Sequence, residues 1–148
     1  MTQTPTAQSK RIETALAYLD AGFRGDNEAA AALLGESYVW VDHSQGLVAE
    51  TIEDLLRVAE EHGGWTDREF KIDRIMESLD GTVIATGTLT QTQMGTWRSI
   101  PPTGRRVSIA CCEIVGFDAE GRVISEEAYQ DDLSIMKQLG VLDLTGTT

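Results

Sequence analysis

The sequence predicts an α+β domain, with helices segregated on one face of a curved antiparallel sheet. Between Lys10 and Ala59 apolar residues recur mostly at helical spacing. From Phe70 to Tyr129 they alternate instead, in runs broken by glycine-bearing turns. The chain has 148 residues and no internal repeat or low-complexity block, which fits one domain with a real core. Residues 10–142 are expected to form that domain. Residues 1–9 and 143–148 are expected to be disordered tails, the first being polar, with Pro5 and no periodicity.

Each element has a local cause. From Lys10 to Arg24, Ile12, Leu16, Leu19 and Phe23 mark one apolar helix face with Tyr18 at its edge, and Gly25 ends the helix. Asp26 is placed to cap a short alanine-rich helix over Asn27 to Leu34. Tyr38 to His43 is rich in strand formers. By alternation Tyr38, Trp40 and Asp42 share one face, and Val39, Val41 and His43 the other. An irregular link, Ser44 to Glu50, follows. Thr51 caps a third helix with the stripe Ile52, Leu55, Leu56 and Ala59, stopped by Gly63 and Gly64. Strands are expected over Phe70 to Leu79, Thr82 to Trp97, Val107 to Phe117 and Val123 to Tyr129. Asp80-Gly81 makes a hairpin turn, the proline turn Ile100 to Gly104 makes the next, and Asp118 to Arg122 a third. Gly87 and Gly95 are candidate bends. Asp131 and Asp132 open a last short helix that stops at Gly140.

Charge and composition narrow the function classes. The net charge is −12, from 24 acidic and 12 basic residues, which disfavours phosphate backbones and anionic membranes. No apolar run approaches the ~20 residues of a membrane span, and the polar start lacks the apolar segment of a signal peptide, so a cytoplasmic protein is expected. The adjacent Cys111 and Cys112 point to opposite strand faces and read as two small hydrophobes. The two histidines, His43 and His62, share no ligand spacing, so no metal is expected. With no glycine-rich dinucleotide loop or haem motif, no cofactor is expected either.

Three stretches carry a family resemblance. Ile100-Pro101-Pro102-Thr103-Gly104-Arg105-Arg106-Val107, the turn Glu120-Gly121-Arg122-Val123-Ile124, and Asp131 followed by Gln138-Leu139-Gly140 resemble the corresponding stretches of SnoaL-like polyketide cyclases, within the nuclear transport factor 2-like superfamily. The resemblance implies a cone-shaped α+β barrel: a strongly bent sheet wrapped around three N-terminal helices, a deep pocket, and a short C-terminal helix. It implies a cofactor-independent enzyme acting beside a carbonyl of a hydrophobic substrate. The cyclases' histidine and aspartate fall here on Glu113 and on Ala128, or on Glu127 with a different gap, so their catalytic pair is replaced. Tyr18 and the segment Val41 to Gly46 also resemble the oxyanion-hole tyrosine and base segment of ketosteroid isomerases, which share this fold.

The candidate catalytic residues are therefore His43, Asp42, Tyr18 and Glu113. Removing a proton beside a carbonyl needs a base of suitable pKa within reach. His43 or Asp42 is that base, unless Asp42 merely bonds backbone amides in a turn. Glu113, inside an apolar strand, needs a partner or a role; Arg98, Arg105 and Arg106 are candidate partners, and a subunit contact is the plain alternative. Tyr18, or a protonated Glu113, would steady the enolate. Trp40, Trp97, Tyr129 and Ala128 are the candidate substrate-binding residues. Asp131 and Asp132 read as a helix N-terminus. The alternatives are a non-catalytic ligand-binding or assembly module, or a hydroxylase or epoxide hydrolase-like relative. Expected partners are a small hydrophobic ligand and, through the exposed sheet face, a second copy in a homodimer.

Overall fold

The structure is a computed structural model that describes residues 9–143. The expected tails lie outside the described residues except at Ser9 and Asp143. Ser9 is structured: its hydroxyl accepts from the Ile12 amide and caps the first helix. The elements in order are α1 (Lys10–Arg24), α2 (Asn27–Ala31), β1 (Leu34–Asp42), β2 (Leu47–Ala49), α3 (Ile52–His62), β3 (Trp65–Glu77), β4 (Val83–Gln93), β5 (Arg106–Phe117), β6 (Val123–Gln130) and α4 (Asp132–Gln138).

Most of these follow the sequence pattern, and the departures have local causes. Gly25 takes a left-handed conformation after α1, which only glycine adopts without strain. The second helix ends at Ala31 and not Leu34, because Leu34 already pairs with Val123 and the Arg122 guanidinium holds the Ala32 and Leu34 carbonyls, each at 2.8 Å. The link expected at Ser44 to Glu50 contains strand β2, a hairpin partner of β1. β4 stops at Gln93 and not Trp97. The Gln93 side chain accepts from the Thr103 amide and hydroxyl and donates to the Ile100 and Pro101 carbonyls, so it closes the proline turn from inside.

The six strands form one bent, unclosed sheet in the order β2-β1-β6-β5-β4-β3. All neighbours are antiparallel except β1 and β6, which run parallel. The wholly antiparallel sheet expected from the sequence is thus corrected at one seam. That seam joins the first strand to the last, a pairing no hairpin can make. Gly87 sits where β4 presses on β3: a Cβ there would lie 1.9 Å from the Lys71 carbonyl oxygen. The β3–β4 register shifts just beyond it, between Ile72 and Arg74, as expected of a bend.

Two apolar clusters fill the concave side. Ala15 and Leu19 of α1 pack on Val83, Ala85, Val115 and Val123. Ile135 and Leu139, at the α4 end, pack on Leu89, Trp97, Val107 and Ile109. Phe23 and Phe70, with ring centres 5.2 Å apart, touch both clusters. Among the described residues no helix is long and apolar enough to cross a membrane.

Candidate functional site

A cavity of about 280 Å³ opens on the concave face, bounded by α1, α3 and the inward side chains of β1, β3, β4, β5 and β6. Its walls are mostly apolar. Trp40 comes from β1, and Ile52, Leu55, Leu56 and Ala59 come from the amphipathic face of α3. Into this apolar space project Asp42, Arg68, Gln91, Glu113, Glu126 and Tyr18.

Alternation delivers Glu113 directly. Val107, Ile109, Cys111, Glu113 and Val115 are all buried on one face of β5, and Glu113 is 3% exposed. Glu126 arrives by a different route. The β5–β6 register shifts between Gly116 and Phe117, where Phe117 pairs with Val123 but Gly116 with Ser125. Strict alternation from Val123 would turn Ser125, Glu127 and Tyr129 inward; the bulge turns Glu126 and Ala128 inward instead. Arg68 depends on a similar irregularity. Asp67 has φ +49° at a register shift between Thr66 and Glu69, and Arg68 beside it lines the cavity, where solvent reaches it.

The two glutamates face one another in the cavity, near enough that each acts on the other's carboxyl. Burial, reinforced by the charge of Glu126, pushes Glu113 well above the usual carboxylate range. Burial also raises Glu126, although bonds from Tyr18 and Glu113 and the positive charge of Arg68 pull against it. Two desolvated carboxyls side by side disfavour double ionisation, so the pair favours holding a proton. Glu113 Oε2 is buried with no hydrogen-bond partner, and a proton on the pair would satisfy it. The Cys111 thiol donates to Glu113 Oε1 at 3.3 Å. Behind Glu126 stand two phenols. Tyr18 donates a short bond to Glu126, Tyr38 lies 3.4 Å from the same oxygen, and the hydroxyls are 2.5 Å apart. Burial, then the Glu126 charge, raises both phenols and keeps them protonated.

Asp42 faces the cavity from β1 and is 3% exposed. Its carboxylate accepts from the Ser44 amide at 2.8 Å, the Gln45 amide at 3.1 Å and the Gln45 side chain at 2.9 Å. The turn reading and the cavity reading of Asp42 therefore hold together. Arg68 donates from Nε to Gln91 Oε1 at 3.1 Å and lies over the Phe23 ring at 4.8 Å. Burial lowers its pKa, while Glu113, Cys111, Glu126 and Asp42 hold it up.

Of the residues singled out from sequence, Asp42, Tyr18, Glu113, Trp40 and Ala128 line this cavity. Three do not. His43 follows Asp42 on the opposite face, stacks on Tyr129 at 4.4 Å and bonds Glu127 at 2.8 Å, with its side chain 39% exposed. Tyr129 is on that same outer face. Trp97 is 1% exposed inside the α4 cluster, edge-on to Trp65. The expected arginine partners of Glu113 are also engaged elsewhere. Arg98 bonds Asp132 at 2.7 Å and the Ser44 carbonyl, Arg105 the Gln138 carbonyl, and Arg106 the Asp67 carbonyl and Thr92. Asp131 is the α4 cap, accepting from the Ser134 amide. The sequence reading missed Arg68, Glu126, Tyr38 and Gln91. For Glu126 and Arg68 the missing signal is the bulge that reverses parity.

A bent open sheet folded over helices around such a cavity defines the class: a nuclear transport factor 2-like cone. Residues 15–126 match the family model of the SnoaL-like domain, and the chain belongs to that family. A candidate SnoaL-like polyketide cyclase from Shewanella denitrificans OS-217 superposes with TM-score 0.79 at 16% identity, covering 91% of this chain and 100% of that one. AclR, a candidate hydroxylase from Streptomyces galilaeus, gives 0.73 at 22% identity over 90% and 87%. TsrD from Streptomyces laurentii gives 0.72 at 21% identity over 93% and 100%. At these identities the likeness shows the fold. A search of curated proteins found no match.

Proposed function

We propose that this protein is a cofactor-independent acid/base enzyme of the cyclase or isomerase kind, moving a proton next to a carbonyl in a hydrophobic substrate held in the cavity. One observation carries the reading. Two kinds of carboxyl face one small apolar cavity: Asp42, bonded by three N–H groups as a carboxylate is held, and the Glu113–Glu126 pair, which keeps a proton. Paired carboxyls in contrasting environments divide base and acid roles between them. In this reading the substrate C–H bond breaks toward Asp42. The electron pair moves onto the carbonyl oxygen, and Glu113 supplies the proton that this oxygen takes. Tyr18 acts through Glu126, to which its hydroxyl already donates, and not as a direct oxyanion donor. Trp40 and Ala128 contribute to the walls. His43 has no part in this chemistry, because its ring is committed to Glu127 and Tyr129 on the outer face.

A wholly apolar cavity would favour the rival reading, a binding or assembly module, and the convergence of acids with Arg68 weighs against it. The SnoaL-like neighbours named as polyketide cyclases support the carbonyl-rich substrate. The exposed apolar side chains Val39, Val48 and Tyr129 support a homodimer through the outer face. A cytoplasmic setting is part of the proposal.

The test is exchange of deuterium from heavy water into β-tetralone, a hydrophobic ketone with acidic C–H bonds. Wild type accelerates exchange, and Asp42→Asn lowers the enzymatic rate by about two to four powers of ten, while His43→Ala retains it. No acceleration by wild type, or full activity in Asp42→Asn, would sink the reading.

A further inference from the structure

We propose that Arg68 anchors a carboxylate carried on an apolar ligand, received by the guanidinium edge left open in the cavity; the inference rests on the cavity being the functional site.

The arginine is fixed but unfilled. Its Nε is tied to Gln91 and its Cζ sits over the Phe23 ring at 4.8 Å, so the guanidinium is held in place. Its two Nη groups have no acceptor among the described residues, although three acidic side chains share the cavity. Those acids are committed elsewhere. Asp42 is taken by the amides of Ser44 and Gln45 and the Gln45 side chain, Glu126 by Tyr18 and Tyr38, and Glu113 by Cys111 with Glu126 beside it. The free edge is reached by solvent but fixed in direction, and a planar carboxylate matches it with two parallel charge-assisted bonds. Trp40, Ile52, Leu55, Leu56 and Ala59 provide only apolar surface beyond it, so the rest of the ligand must be apolar.

Charge explains how an anion enters beside acids. The charged or titratable groups facing Arg68 are Asp42 on β1, Glu113 with Cys111 behind it on β5, and Glu126 on β6; Tyr18 on α1 stays neutral. The described side chains of α3 and α2 that line the cavity bring no charge. The Glu113–Glu126 pair can take a second proton, because burial raises both carboxyls. A carboxylate that binds Arg68 while the pair gains a proton leaves the cavity's net charge unchanged. Affinity then rises as pH falls, down to the point where the ligand's own carboxyl protonates.

Calorimetric titration of the full chain with naphthoate, and with the neutral naphthamide as comparator, tests this. Naphthoate binds at least about tenfold tighter than the amide, a gap of roughly 1.4 kcal/mol. Heats measured in buffers of different ionisation enthalpy show proton uptake. Arg68→Gln brings naphthoate down to the affinity of naphthamide and leaves the naphthamide affinity as it was, which shows the cavity intact. Equal binding of acid and amide, unchanged naphthoate affinity in Arg68→Gln, or no naphthoate binding up to its solubility limit each overturns the inference. The exchange assay uses a neutral ketone, so the two readings fail separately. Naphthoate binding without exchange removes the catalytic reading alone, and exchange without naphthoate binding removes this one.

Discussion

Glu113→Gln flattens the dependence of stability on pH above the usual carboxylate range. In the folded protein both glutamates hold protons more tightly than the ordinary value of 4.5 allows, chiefly through burial. A carboxyl raised on folding contributes stability that is fully present below its unfolded pKa. That contribution is lost as pH rises through the folded pKa, since the native state must then release a proton it prefers to keep. Each proton retained by the native state alone costs about 1.4 kcal/mol of stability per pH unit across that window. In Glu113→Gln the more strongly raised carboxyl is gone while burial still raises Glu126, so the slope falls toward that of a single carboxyl. Other shifted groups do not confuse the comparison. Asp132, raised by burial against the pull of Arg98, contributes equally to both proteins. Asp80, held at about 2 by Ser78 and Thr82, contributes above the usual aspartate range and loses that only as pH falls, outside the window. Urea midpoints of the two proteins at a series of pH values supply the check. Parallel curves would mean that the pair holds no extra proton.

Truncating Trp97 to alanine costs about 3–5 kcal/mol, the range for a large aromatic removed from a packed core. Trp97 is 1% exposed among Leu89, Val107, Ile109, Ile135 and Leu139, edge-on to Trp65 at 5.6 Å and under Arg98 at 5.2 Å. It joins β4 and β5 to α4 and to the proline turn, where its backbone pairs with Ile100. Trp97→Phe costs far less, because the ring is mostly replaced and the indole N–H, buried without an acceptor, is removed. Both variants retain the cavity walls, since Trp97 is not among them. Urea unfolding gives both values. A loss below about 1 kcal/mol in the alanine variant would contradict a core role.

The sequence pattern carried most of the fold because its signals are local. Asp26, Thr51 and Asp131 cap three helices where the sequence marks them, while Ser9, expected in a disordered tail, caps the first. The turns between β3 and β4 and between β5 and β6 close where Gly81 and Gly121 take positive φ. The proline turn and the Gln-Leu-Gly ending marked the family without any three-dimensional information. The parallel β1–β6 seam and the short strand β2 were not legible, since both depend on pairing between distant or very short segments.

The site divided along the same line. Alternation in β5 put Glu113 on a face with buried apolar neighbours, and alternation in β1 grouped Tyr38, Trp40 and Asp42, leaving open only which face met the cavity. Where a bulge intervenes, counting by two fails. Glu126 and Ala128 turn inward and Glu127 and Tyr129 outward because β6 shifts register near Gly116, and Arg68 lies beside the left-handed Asp67. His43 was misread for a simpler reason. It is the better base in isolation, but its neighbour Asp42 occupies the inward face of the same strand, and adjacent residues cannot share a face.

The claim on which the proposed chemistry rests is that Glu113 and Glu126 share a proton within the cavity. Carbon NMR of the protein carrying carboxyl-labelled glutamate, followed across pH, tests it most directly. The account predicts two glutamate signals, absent in Glu113→Gln and Glu126→Gln respectively, that titrate together and above the range of the exposed glutamates. Two signals that titrate independently, within the ordinary carboxylate range, would contradict it.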